Sequence, residues 1–171
     1  MGRKTITISG LSEVEIDSAI KELEAYKKSI KERTQRLIEV MCQSGEYYAI
    51  QNLTHVDTGE TLSSIHGYRK GNKGYIVAGG NAVWIEFGTG VARNGTGYPH
   101  PLAQSYGMAA IGTYGDGNGS NPDGWYYYDA DGRRKHTLGI KADMFMYKAA
   151  REIEKQFPDL AKGVFEGEYN P

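Results

Sequence analysis

The 171-residue chain has one cysteine, five prolines, no apolar run long enough for a membrane span and almost no net charge. Each shortage removes a class of protein. A single thiol, Cys42, excludes an intrachain disulfide and a cysteine-rich zinc site, and on a helix such a residue packs as a small hydrophobe. A membrane helix needs about 20 consecutive apolar residues. The charged start Met1-Gly2-Arg3-Lys4-Thr5 leads into no long apolar segment of the kind a secretory leader requires, so the expected compartment is the cytosol of the cell that makes the protein. With 20 basic against 21 acidic side chains and no Lys/Arg cluster, the chain lacks a dedicated phosphate-neutralising surface. His55, His66, His100 and His136 form no close pair and have no adjacent Cys or carboxylate cluster, so no metal site is expected. A Walker-type glycine loop and a Gly-x-Ser-x-Gly elbow are also missing. No catalytic, metal-binding or cofactor-binding residue is assigned, and the chain is not expected to be an enzyme.

What is abundant is glycine, with 23 residues, and tyrosine, with 13. The glycines concentrate between Gly88 and Gly139 without a fixed period, which points to one long irregular insertion in a single domain and not to a repeat array. The first predicted element is a strand over Thr5-Ile6-Thr7-Ile8-Ser9, ending at Gly10. A long helix follows from Leu11 to about Met41, with Ser12 as N-cap and Glu13, Glu15 and Asp17 where the helix dipole favours negative charge. Ile16, Leu23, Ile30 and Leu37 recur every seven residues, and Ala19, Tyr26 and Val40 stand three further on, which makes a narrow apolar stripe. That stripe suits either a coiled-coil seam or a seat across the chain's own sheet. The second is the expectation here, with one end of the overlong helix left free to touch a neighbouring subunit.

Asp57-Thr58-Gly59 has two readings. It is the catalytic tripeptide of aspartic proteases, in which two aspartates share a proton. One copy would require a symmetric dimer, and the upstream run Ile50-Gln51-Asn52-Leu53-Thr54-His55-Val56 is too polar for the strand that normally precedes it. The alternative is a capped turn: Asp57 as N-cap and Glu60 three residues on predict a short helix from Thr58 to about Ile65. Lys70-Gly71-Asn72-Lys73-Gly74 then supplies hairpin chemistry, followed by a buried strand over Tyr75 to Ala78. Glu86 is expected in an apolar strand and paired with an arginine, because an unpartnered buried carboxylate is costly.

Residues 90–124 read as a long glycine-rich loop. Asp116-Gly117-Asn118-Gly119-Ser120 resembles the start of a calcium loop, but Asn121 stands where glycine is needed and Tyr127 where the bidentate glutamate belongs. A hairpin is predicted from Trp125-Tyr126-Tyr127-Tyr128 and Arg133-Arg134-Lys135-His136-Thr137, with Gly132 in the turn. Alternating tyrosines point to opposite faces, so one face is core and the other is free for a protein interface. Stacking on single-stranded nucleic acid is the rival use of these side chains. A second amphipathic helix runs from about residue 143 to Phe157, with Pro158 as stop, a further turn is expected over Leu160 to Phe165, and Gly167 to Pro171 is expected to fray.

The ordered set of Asp57 to Ile65, a hairpin, Ala82-Val83-Trp84-Ile85-Glu86-Phe87-Gly88-Thr89-Gly90, an insertion, and Ala142-Asp143-Met144-Phe145-Met146-Tyr147-Lys148-Ala149-Ala150 resembles a known family. It is similar to the neck or tail-completion (head-tail joining) proteins of tailed phages, the HK97 gene product 10-like family, over about residues 11 to 157. Asp143 departs from that pattern, where a proline or small residue is expected, and this puts the start of the last helix in question.

The expected fold is α+β, in which a small, mostly antiparallel sheet packs against the long N-terminal helix and the C-terminal helix, with a long Gly-rich insertion. The expected organisation is one domain, 1-171, with the long helix at 11-41, the core motif region at 56-90, the loop at 90-124, the hairpin at 125-137 and the last helix at 143-157. The implied function is a structural component of the head-tail junction that forms a ring of about six or twelve subunits. Its implied partners are the portal or connector and the tail terminator or tube, with no membrane and no specific nucleic acid, first in the host cytoplasm and then in the particle. A collar of a headless contractile particle is the alternative, and a dimeric protease at Asp57 a distant one. Glu86, Phe87, Trp125, Tyr126, Tyr127, Tyr128, Arg133 and Arg134 are the expected interface residues.

Overall fold

In the computed structural model of the protein, the described residues are 12–56, 59–89, 100–106, 123–129 and 131–167. The predicted strand over Thr5 to Ser9, Asp57 itself, the Asp116-to-Ser120 segment, most of the glycine-rich loop and the last four residues lie outside them. In chain order the elements are α1 (Glu13–Asn52), α2 (Glu60–Ser63), β1 (His66–Lys70), β2 (Lys73–Val77), α3 (Ala82–Phe87), a single 3₁₀ turn (Gln104–Tyr106), β3 (Trp125–Tyr128), β4 (Arg134–Thr137) and α4 (Phe145–Glu166). The fold is α+β, as expected, with a long N-terminal helix packed against a C-terminal one. The strands form two separate two-stranded antiparallel sheets, β1-β2 and β3-β4.

Ser12 caps α1 in the predicted way. The Glu15 amide donates to the Ser12 hydroxyl oxygen at 3.3 Å, the N-cap bond, and the Ser12 hydroxyl donates to the Glu15 carboxylate at 3.0 Å. The helix does not stop near Met41. It runs eleven residues further because Cys42, Gly45 and Ala49 continue a buried stripe at helical spacing, and that burial outweighs the roughly 1 kcal/mol cost of a helical glycine.

The described residues divide into two compact units. One takes α1 up to Ser44, Gly67–Tyr75 and α4 from Ile153. Its core is Leu37, Val40 and Val164, with Met41, Leu160, Ala161 and Phe165 packed around them. Here Pro158 lies inside α4 and does not end it. A proline inside a helix, which removes one hydrogen bond and crowds the preceding turn, costs about 3 kcal/mol. Contacts beyond the proline offset this, namely the Leu160-to-Phe165 packing and a bond from the Arg33 guanidinium to the Phe165 carbonyl.

In the same unit the β1-β2 hairpin lies against α1. Cys42 is buried and its thiol donates to the Tyr68 carbonyl at 3.3 Å, a packing role as expected. A Cβ on Gly67 would fall 2.1 Å from the Cys42 carbonyl oxygen, so only glycine lets the strand approach so closely. Tyr68 and Tyr75 stack at 5.4 Å on the hairpin. The expected buried strand at Tyr75 is corrected: β2 is largely exposed, because a two-stranded ribbon against one helix has a bare outer face.

The other unit takes Gly45–His66 and Ile76–Glu152. Ala49, Leu53, Ile65, Ala82, Ile85, Phe145 and Ala149 form its core, with Leu62, Ile140 and Met146 among the residues packed on it. The short helix is α2, beginning at Glu60 with Gly59 as N-cap at φ 78°, so Glu60 is its first residue and not the third that a capping box requires. The last helix begins at Phe145 after Met144, which sits at φ 53°.

Candidate functional site

The segment expected as an apolar strand, Ala82 to Phe87, is the helix α3. Ala82, Ile85 and Glu86 are buried at helical spacing and Phe87 is buried beside them, while Val83 and Trp84 are exposed. Runs this short fit either period, which is why the apolar count misleads. Two backbone bonds bind the end of α3 to the approach to α4: the Asp143 amide to the Ile85 carbonyl at 2.9 Å and the Met144 amide to the Glu86 carbonyl at 3.2 Å. Gly88, at φ 75°, allows the chain to pass there, since a Cβ would stand 2.6 Å from the Ala142 nitrogen.

These bonds bring the Glu86 carboxylate to the N-terminus of α4. Oε2 accepts the Met146 amide at 2.8 Å and Oε1 accepts the Tyr147 amide at 2.9 Å, satisfying two of the unpaired donors of the first helical turn. Oε1 also lies 2.8 Å from His100 Nε2. The Leu102 amide donates to His100 Nδ1 at 3.0 Å, so Nδ1 bears a lone pair and the ring proton sits on Nε2, directed at Glu86. Phe87 and Tyr147 flank the imidazole, their rings 4.4 Å and 5.1 Å from it, and Tyr106 meets the Phe87 ring at 5.7 Å. Glu86 and His100 are both buried.

The expected arginine partner is therefore corrected to His100 and two helix amides. Glu86 and Phe87, expected at an interface, are buried within their own unit. The dyad has no free basic nitrogen, since both ring nitrogens are engaged, and its geometry is that of a brace. No spacing rule pointed to His100, fourteen residues away.

A second buried carboxylate, Asp143, joins the end of α1 to the start of α4. It accepts the Thr54 amide and hydroxyl, both at 2.6 Å, the His55 amide at 2.9 Å and His55 Nδ1 at 2.6 Å. Burial pushes its carboxyl up, but the Thr54 hydroxyl, the two amides and the His55 ring together hold it below the ordinary value. Asp143 is thus an anchor between the two segments. An acidic residue just before a helix is a sequence signal for a cap, but Asp143 serves partners 88 and 89 residues away instead.

Around these anchors lies a cleft of about 870 Å³, with Leu62, Ile85 and Ile140, Trp84, Trp125 and Tyr127 among its lining residues. Trp125 and Tyr127 belong to the β3-β4 hairpin, whose register pairs Trp125 with Thr137, Tyr126 with His136, Tyr127 with Lys135 and Tyr128 with Arg134. The turn forms as expected, with Gly132 at φ 74° and the Asp129 carboxylate accepting the Asp131 and Arg133 amides. Arg133 pairs with Asp131 at 3.1 Å. One face of the hairpin lines the cleft through Trp125, Tyr127 and Thr137. The opposite face carries Tyr126, Tyr128, Arg134 and His136, all exposed. There the Arg134 guanidinium lies 3.8 Å above the Tyr126 ring, and His136 meets the same ring edge-on. Neither face is core, which corrects the expectation that one would be.

Among the described residues no group of three His, Cys, Asp or Glu side chains is placed to hold a metal, and no helix is long and apolar enough to cross a membrane. Comparison with protein-family models, curated proteins and solved structures finds no match to this chain.

Proposed function

We propose that this chain is a structural, non-enzymatic component of the head-tail junction of a tailed phage, a neck or tail-completion protein that works as a ring of identical subunits. The observation that supports the reading is the ordered resemblance of Asp57–Ile65, Ala82–Gly90 and Ala142–Ala150 to that family. The bonding of the described parts is consistent with it: α3 and the start of α4 are joined by the Ile85 and Glu86 carbonyls and by the Glu86 carboxylate. Both buried carboxylates spend their hydrogen-bonding capacity on helix ends and connections, which is a scaffold's use of charge.

The mechanism is geometric. Heterologous contacts between identical subunits close a ring, one face of which docks on the portal or connector and the other on the tail terminator or tube. Light scattering of the purified protein, with negative-stain imaging, tests this. Rings of about six or twelve subunits are expected. A stable dimer with an acid proteolytic activity that Asp57→Asn abolishes would refute it.

A further inference from the structure

The outer face of the β3-β4 hairpin is aromatic and basic, and carries no carboxylate. Tyr126 and Tyr128 are 58% and 72% exposed, and Arg134 stacks on Tyr126 without an ion-pair partner among the described residues. The first turns of α1 carry the complementary chemistry. At 100° per residue, Glu13, Ile16, Asp17, Ile20, Leu23 and Glu24 fall within an arc of about 120°. All six are exposed, with Ile20 and Leu23 at 48% and 56%. The apolar stripe of α1 is thus buried at Ala19, Leu37 and Val40 but exposed at Ile16 and Leu23, and the exposed part is edged on one side by carboxylates.

From this match we infer that the Tyr126/Tyr128/Arg134 face of one copy seats on the Ile16/Ile20/Leu23 stripe of another, with Arg134 meeting Asp17 or Glu13. The inference rests on the ring reading and specifies its contact. Two tyrosine rings cover aliphatic side chains at low entropic cost, and an arginine held flat on a ring is pre-set to meet a carboxylate. The contact joins two different surfaces, so it is heterologous, the kind that propagates into a ring. Nucleic acid fits the face less well, because one arginine and a histidine neutralise too few phosphates for useful affinity.

The test uses the full chain at low salt. Self-association is read by light scattering over a concentration series for the wild type, Arg134→Glu, Asp17→Arg and the double variant, with circular dichroism confirming that each is folded. Each single variant is expected to weaken association on the order of tenfold or more, since it places like charges opposite one another. The double variant should recover most of the loss. A second measurement is independent of charge: Tyr128→Cys with Ile20→Cys, the native Cys42 being buried, should give disulfide-linked oligomers on mild oxidation.

Rings that persist unchanged in the single variants, with no cross-link, would overturn this contact and leave the ring reading intact. A wild type that stays monomeric at every concentration would overturn both. Salt-sensitive binding of a single-stranded oligonucleotide that Arg134→Glu abolishes would overturn the choice of partner.

Discussion

Replacing Glu86 with glutamine changes one atom type and removes one charge, yet it attacks the joint that places α4. In the wild type the carboxylate faces three donors, the Met146 and Tyr147 amides and His100 Nε2. Glutamine offers one oxygen and an amino group. Whichever way the amide turns, at least one of those donors meets another donor. Leaving a buried donor unsatisfied costs about 1–3 kcal/mol, and losing a negative charge at a helix N-terminus adds roughly 0.3–1 kcal/mol. The expected destabilisation is about 1.3–4 kcal/mol, which lowers the melting temperature by roughly 3–16 °C in a chain of this length. Thermal unfolding followed by circular dichroism at pH 7 measures it. A change below about 0.5 kcal/mol, the range of ordinary surface substitutions, would refute the view that Glu86 braces α4. Because the brace is internal to one unit, any loss of assembly in Glu86→Gln should track the loss of folded protein.

Other substitutions probe the remaining joints. Asp143→Asn should cost about 1–3 kcal/mol at pH 7. Since the folded Asp143 carboxyl is held below its unfolded value of about 3.9, its stabilisation is complete above that pH and is lost as pH falls through the lower folded value. Urea unfolding should therefore show the gap between wild type and variant closing below about pH 4, and a gap that widens on acidification would sink this account. Gly67→Ala drives a Cβ into the Cys42 carbonyl and should cost more than about 3 kcal/mol or prevent folding, whereas Gly71→Ala, a turn residue with open space and φ 63°, should cost about 1–2 kcal/mol. Equal melting temperatures for these two would show that the hairpin does not sit on α1 as described. Pro158→Ala restores a helical hydrogen bond and relieves the crowding of the ring, so it should stabilise by about 1–3 kcal/mol and raise the melting temperature by roughly 2–12 °C; a lower melting temperature would mean that the proline's shape is needed for the packing of Leu160 and Val164.

Local chemistry was legible wherever it suffices to set local structure. Ser12 and Glu15 marked the start of α1, Gly71-Asn72 and Asp129 with Gly132 marked two turns, and the chain reads as α+β because helical and strand periods both occur. These are matters of caps, positive φ and side-chain spacing within a few residues. What the sequence could not settle was every question decided by a distant partner. Helix α1 outruns Met41 and α4 passes Pro158 because buried contacts from elsewhere in the chain outweigh a glycine and a proline. The short run Ala82 to Phe87 is a helix only because the other side of its core, Phe145 and Ala149, lies some sixty residues on. Glu86 announced itself as a carboxylate needing a partner, but His100 and the α4 amides were chosen by the path of the chain, and Asp143 found Thr54 and His55 in the same way. A buried charge must be satisfied, which sequence reveals; which donors satisfy it depends on three-dimensional proximity, which only the tertiary structure provides.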